Sequence, residues 1–422
     1  MTKVVIVGAG PTGASLALLL AQRGIAVTLV EVAKDFRRTF RGEGLMPSGL
    51  DALTQMGLGD LLETLPTSPL TAWEFIISGK SLFRVDEPMG GDRPCTLIAQ
   101  PPLLNALVTQ AQTYPNFEFI QGTGVKDVLW SPKGSSSQRV SGVRLTDGRM
   151  ISAGLVIGAD GRNSVIRQRV ELELVTEPKS IDVLWFKLPA HPRLTEQNVF
   201  YTIVNQRRVF SLFHSAEENQ MHLAWVLYPD AAPHHSSVQA HKPDAPESSS
   251  PEWGETFASL APDWLAEHFR EYSNAIASPI RLSVIVGRCP SWHKPGVLLL
   301  GDAAHPMSPV RAQGINMALR DAIVAANHLV PVLTAGTLSA TDQNTQLDRA
   351  IAAIQDDREP EIIKAQKLQA AEAKRGELLR SNPLAQATIQ NFSPILSPLL
   401  KRSWVHKQKK LRQGITDVNL KV

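Results

Sequence analysis

Only two cysteines occur, Cys95 and Cys289, far apart and with no CxxC. That excludes a disulfide framework, a dithiol redox pair and zinc-type spacing, and both thiols are expected to be buried. Long apolar runs are missing too. Residues 4–20 come nearest, but GAGPTG interrupts them. They read as strand–turn–helix, not as a leader or a membrane span, and a cytoplasmic protein is expected. Excess charge is lacking: 43 Lys and Arg against 40 Asp and Glu leave a net charge of +3, too small to argue for nucleic acid. No Ser/His/Asp pattern, phosphate-transfer loop or metal-ligand spacing occurs, so metal is expected to play no part.

What is present organises around glycine. The 422 residues call for two domains or more. Residues 3–7 (KVVIV) read as a buried parallel strand, 14–23 as a helix and 26–30 as the next strand. Between the first two stands Gly8-Ala9-Gly10-Pro11-Thr12-Gly13. Gly8 permits the tight turn, Gly10 lets a pyrophosphate approach the backbone, and Gly13 lets helix and strand pack. The helix start offers free N–H groups to phosphate. Glu31 follows Gly13 by 18 residues, at a strand end where an acid can accept ribose hydroxyls. The pattern implies a dinucleotide without distinguishing FAD from NAD. Helices are expected near 48–56 and 102–114, strands at 117–120 and 155–158, and a serine-rich turn at 135–137.

From about residue 174 the texture changes. Segments 183–189, 198–204, 208–213 and 222–229 are β-branched or aromatic and imply an antiparallel sheet. Residues 230–252 read as a long loop, 253–270 as one or two helices, 280–286 as a strand leading back to the first domain, and 346–378 as a long polar helix. Two further motifs flank this sheet. GADGRNSVIR (158–167) has Asp160 and Gly161 at a strand end before a helix, with Ser164 as a cap and Arg167 completing a structural clasp. GDAAHPMSPVRAQGIN (301–316) puts Gly301 and Asp302 at another strand end, and Asp302 can accept from polyol hydroxyls. Gly314, Ile315 and Asn316 open a helix whose N–H groups face an acceptor, such as the pyrimidine half of a flavin. His305 reads as a structural hydrogen-bonding residue.

Together the segments 8–13, 158–167 and 301–316 resemble the three FAD signatures of the class A flavoprotein monooxygenases, the para-hydroxybenzoate hydroxylase-like aromatic-ring hydroxylases, over roughly residues 1–380. The resemblance implies an α/β fold: a Rossmann-like FAD-binding domain (1–173 and 286–335), an interleaved antiparallel substrate domain (174–285) and a C-terminal helical region with a basic tail (336–422). It implies FAD as cofactor and NAD(P)H as a transient co-substrate in a surface groove. It implies hydroxylation, through a C4a-hydroperoxyflavin, of a small aromatic or other unsaturated compound. A flavin-dependent reductase of a lipophilic isoprenoid is the alternative. By the same resemblance Glu31 holds the adenosine ribose, Asp302 the ribityl chain, Asp160 lies where FAD and NAD(P)H sites overlap, and Pro309 borders the ring on the substrate side. Arg41, with Gly42 and Gly44 beside it, is the basic residue expected near the pyrophosphate.

Two positions depart from the family pattern. Arg311 stands where relatives usually have glycine, and could reach the flavin edge or a substrate carboxylate, or point outward. Gln100 replaces an arginine beside the cofactor and can still donate a hydrogen bond. Trp185, Tyr201, Phe210, Phe213 and Trp225 are candidates to line the substrate cavity, although alternation puts only one face of each strand inward. The tail 401–412 (KRSWVHKQKKLR) has six Lys or Arg and no acid. It reads as a solvated basic face or as a site of weak, salt-sensitive contact with an anionic membrane. The chain is expected to be a monomer or dimer.

Overall fold

The computed structural model describes residues 2–37, 43–89, 91, 93–132, 138–178, 181–217, 219–228, 251–336 and 339–422. Arg41, Gly42, the turn at 135–137 and most of the 230–252 loop lie outside the described residues.

Two large sheets organise the rest. The first has six strands in the order His293–Lys294, Val297–Leu299, Leu155–Gly158, Val4–Val7, Val27–Glu31, Phe117–Gln121. All pairings are parallel except the one at the His293 edge. The central strands are apolar on both faces and wholly buried, as a parallel sheet covered by helices requires. The helices Pro11–Gln22 and Gln313–Thr334 pack together beside this sheet, and Ala340–Ser381 lies against the second of them.

The second sheet has seven strands: Ile280–Ser283, Asp182–Pro189, Gln220–Leu227, Arg208–His214, Val199–Asn205, Ala72–Ile77 and Lys80–Asp86. It is antiparallel apart from the Val199–Asn205 and Ala72–Ile77 pair. The strand Ile280–Ser283 pairs with Asp182–Pro189 as an edge, and the chain then returns to the first sheet at His293–Lys294. At the other edge a hairpin from 72–86 joins a sheet otherwise built from residues beyond 181. A signal for it was present: two apolar runs flank Ser78-Gly79, whose positive φ values (46° and 81°) match a tight hairpin turn.

One face of this sheet is dry core. Leu184, Phe186, Tyr201, Phe210, Leu212 and Trp225 cluster with Phe257, Leu265 and Phe269 of the helices Pro251–Leu260 and Asp263–Glu271. The period of two then fixes what the opposite face carries. Trp185, Ala224 and Ser211 lie in register across the sheet, and Ser211 stands opposite Thr202, which pairs with Phe75. That row lines the space between the two sheets. No helix among the described residues is long and apolar enough to cross a membrane.

Candidate active site

A single continuous cavity of about 1650 Å³ runs between the two sheets. Pockets for one small ligand span roughly 300–1,000 Å³, so this one has room for a dinucleotide and a second molecule. Its first limb starts at the strand–turn–helix. Gly8 has φ +100°, and a Cβ there would stand 2.4 Å from the Ala159 carbonyl oxygen. A Cβ on Gly13 would stand 1.9 Å from the Gly8 carbonyl oxygen. These two glycines are therefore required by the fold, whereas Gly10 has open space beside it. The Glu31 carboxylate is fixed by the N–H groups of Ala9 (2.8 Å) and Ala33 (2.8 Å), and it lines the cavity.

The second motif is a hub. Asp160 accepts from the Ser164 hydroxyl (2.5 Å) and from the N–H groups of Val165 (2.7 Å) and Ile166 (3.1 Å). Burial pushes its pKa up, and these donors oppose the shift. Arg167 does not touch Asp160. Its guanidinium donates to the carbonyls of Ala303 (2.8 Å) and Arg162 (2.7 Å), tying the second motif to the third. His305 bonds Asp321 (2.8 Å) in the interior, which makes it structural. Asp302, Gly314 and Ile315 line the cavity where the 22-residue Gln313–Thr334 helix begins.

Most residues singled out from the sequence thus meet on one cavity: Gly8, Gly10, Pro11, Thr12, Glu31, Gln100, Asp160, Gly161, Asp302, Pro309, Arg311, Gly314 and Ile315. Gly13, Gly301 and Asn316 stand behind it. Gly301 is pressed against Thr12. The buried Asn316 amide accepts from Met46 N–H (2.8 Å) and donates to the carbonyls of Gly44 (3.1 Å) and Ala312 (2.7 Å). It positions the short Gly44–Leu45 strand, where the sequence suggested cofactor contact. Cys95 also lines the cavity, but burial pushes its thiol up to about 12, so it stays protonated.

The second limb is aromatic. Trp185 and Phe213 line it as expected, while Tyr201, Phe210 and Trp225 belong to the dry face. Trp73, Phe75 and Phe200, none of them anticipated, complete the wall. Arg311 neither reaches outward nor stands free. Its guanidinium pairs with Glu372 (Nε to Oε1, 2.7 Å) and lies over Trp404, 4.7 Å from the ring centroid, with Trp73 at 5.4 Å and Phe75 at 5.6 Å. Its φ of 62° and that of 49° at Ala312 explain why glycine would suit this turn.

The tail 401–412 is a wall of this limb. Within the helix Ser393–Gln413, Trp404, Gln408 and Leu411 line the cavity. Arg412 is buried in a bidentate pair with Glu87 (2.5 and 2.6 Å), which also accepts from the Trp73 indole (2.6 Å). Trp404 and Leu411, apolar residues of this tail, thus face inward.

Three separate segments converging on one groove, with tightly packed glycines at its strand–turn–helix end, suit FAD. A family model described as FAD binding domain matches residues 1–355. The chain belongs to the class A FAD-dependent monooxygenase family. It is 29% identical over 435 residues, 100% of this chain and 94% of the relative, to 6-methylpretetramide 4-monooxygenase of Streptomyces rimosus. It is 28% identical over 329 residues, 76% of each chain, to 3-amino-4-hydroxybenzoate 2-monooxygenase of Streptomyces cremeus. The crystal structure of P. aeruginosa PqsL with 2-aminobenzoylacetate shares the fold, with a TM-score of 0.75 at 20% identity over 92% of this chain and 99% of that one. The protein is therefore an enzyme, an FAD-dependent monooxygenase that draws on NAD(P)H. These relatives carry the monooxygenase reading and not the reductase alternative.

Proposed function

We propose that this class A monooxygenase hydroxylates a neutral hydroxyaromatic of more than one ring. The observation that carries the reading is the two-limbed cavity: one limb is walled by glycines and helix starts, the other by Trp73, Phe75, Trp185, Phe200 and Phe213. Flat aromatic walls favour a flat aromatic ligand. Arg311, the cation set among these rings, is already matched by Glu372, so it offers no spare charge to a carboxylate. The Streptomyces rimosus relative, whose name specifies a pretetramide, is consistent with several rings.

In this reading Glu31 binds the adenosine ribose and the start of the Pro11–Gln22 helix faces the pyrophosphate. Gln100 and Asp302 contact the middle of the cofactor, and the N–H groups of Gly314 and Ile315 face the flavin pyrimidine edge. Asp160 and Gly161 lie where NAD(P)H and FAD approach each other, and Pro309 separates ring from substrate. Bound FAD supplies the oxygen chemistry. The chain's residues bind, orient and exclude water. The cytoplasm, where NAD(P)H is at hand, is the proposed location.

The test is direct. FAD-loaded protein is given NAD(P)H, oxygen and a series of phenols with one to four fused rings, and products are read by mass spectrometry. A product carrying one added oxygen, formed best from the multi-ring members, is expected. Stoichiometric FAD with no oxygenated product from any member would overturn the substrate reading.

A further inference from the structure

Glu43 is a buried carboxyl, 5% exposed, that still lines the cavity. It immediately precedes the Gly44–Leu45 strand, which Asn316 pins to the start of the Gln313–Thr334 helix. A Cβ on Gly44 would come within 3.0 Å of the Ala312 Cβ. Glu43 therefore stands where the cofactor limb meets the aromatic limb.

On its other side is the seven-stranded sheet. The Ser215 hydroxyl donates to Oε2 at 3.2 Å, and His222 Nδ1 is 3.7 Å from Oε1. Lys187 and Phe213 flank His222 in register across the sheet. Behind them Lys187 pairs with Glu217 at 3.0 Å, both half-exposed, so solvent reaches the back of this group. Among the described residues the titratable groups that act on Glu43 are thus His222, Lys187 and Glu217, with His214 acting on His222. Among those residues no arginine or lysine pairs with its carboxylate.

We propose that Glu43 is the acid–base residue of this enzyme, taking a proton from a hydroxyl of the aromatic substrate and thereby selecting substrates that carry one. The proposal rests on the hydroxyaromatic reading above. In the step, the substrate O–H bond breaks and its electron pair stays on oxygen, while the Glu43 carboxylate becomes a carboxylic acid. Negative charge passes from protein to ring and raises electron density at the ortho and para carbons, where an electrophilic oxygen is accepted. The proton leaves to solvent when product is exchanged.

Burial pushes the Glu43 pKa up to about 7, with the Ser215 hydrogen bond opposing. A base poised near neutrality is suited to such a transfer. Burial lowers His222 to about 3, so the imidazole stays neutral and competes neither as base nor as counter-ion.

The experiment uses FAD-loaded wild type, Glu43→Gln, Glu43→Asp and Ser215→Ala with the one- to four-ring phenol series and the matching O-methyl ethers. Wild-type kcat should rise with pH through an inflection near the Glu43 value of about 7. Glu43→Gln should lower kcat roughly 100-fold on phenols. Its residual rate should climb with pH as the phenol ionises unaided, and Glu43→Asp should recover part of the loss. Ser215→Ala removes a donor to the carboxylate and should move the inflection upward. The ethers, with no proton to give, should not be hydroxylated by any form. A wild-type rate and inflection in Glu43→Gln, or an unmoved inflection in Ser215→Ala, would overturn the role of Glu43. If Glu43→Gln fails to retain FAD, Glu43→Asp and Ser215→Ala decide. Absence of any oxygenated phenol with wild type overturns the substrate reading, and the proposal with it.

Discussion

Arg311 shows how one residue can leave its family's pattern without harming the fold. A left-handed backbone costs a non-glycine residue roughly 1–2 kcal/mol. Against that stand an ion pair with Glu372 and stacking over Trp404, the latter contributing about 0.5–2 kcal/mol. Burial would raise the Glu372 carboxyl, but the Arg311 guanidinium outweighs it and holds the group below its usual range. Such a group adds stability above its unfolded pKa and loses it as pH falls through the lowered folded value. Arg311→Gly should relieve the strain yet strand Glu372, for a net loss on the order of 1–2 kcal/mol at neutral pH. Adding Glu372→Gln should restore part of it. Denaturant midpoints measured at neutral and acid pH check both. A single variant more stable than wild type at neutral pH would show that the pair contributes nothing.

At the scale of elements, the Ser393–Gln413 helix is tied to the residue that directly follows the 72–86 hairpin by the ion pair of Arg412 with Glu87, both nearly or wholly buried. Breaking a buried pair by removing one partner costs roughly 3–5 kcal/mol, because the other charge is left uncompensated. Arg412→Leu should therefore loosen this helix locally. Amide exchange should rise over 393–422 and over the 72–86 hairpin, while the six-stranded sheet stays protected. Opening this wall should also let water into the aromatic limb, so more NAD(P)H should be consumed per hydroxylated product. Unchanged exchange in the helix would mean that packing of Trp404 and Leu411 suffices without the ion pair.

For the whole molecule, a polar network joins parts distant in the chain. Arg358 bonds Asp321 (2.8 Å) and Glu361, Arg320 bonds Glu361 (2.9 Å), and Glu361 also accepts from Ile415 N–H (2.8 Å). Asp321 in turn holds His305 and Gly301 N–H of the third motif. Burial alone would raise Glu361, but the two arginines hold it down at about 2. Its contribution is thus present at neutral pH and is lost as pH falls from the ordinary value of 4.5 towards about 2. Arg358→Met should cost roughly 3–5 kcal/mol at neutral pH and flatten the acid limb of stability in that window. Equilibrium unfolding across the window, alongside retained FAD, measures both. An acid limb as steep as in wild type would place the pH sensitivity elsewhere.

The sequence by itself determined the limb built from the three glycine-bearing motifs. Its signals are local: a glycine between strand and helix, an acid at a strand end and a helix start must lie within a few residues of each other to work. Backbone geometry then fixes where they point. That Gly8, Glu31, Asp160 and Asp302 would meet on one groove was legible for that reason. Only the tertiary structure decided the aromatic limb. Alternation identified two faces of the 183–229 strands but not which would meet helices, so Phe213 and Phe210 could not be told apart by sequence. Trp73 and Trp404 come from segments 331 residues apart. Glu43 is an ordinary surface-type residue until burial beside Ser215 changes its proton affinity. Arg412 reads as part of a solvated basic tail until Glu87 lies opposite. Charge and proton affinity depend on what the fold brings near, and that is set by long-range packing rather than by local chain geometry.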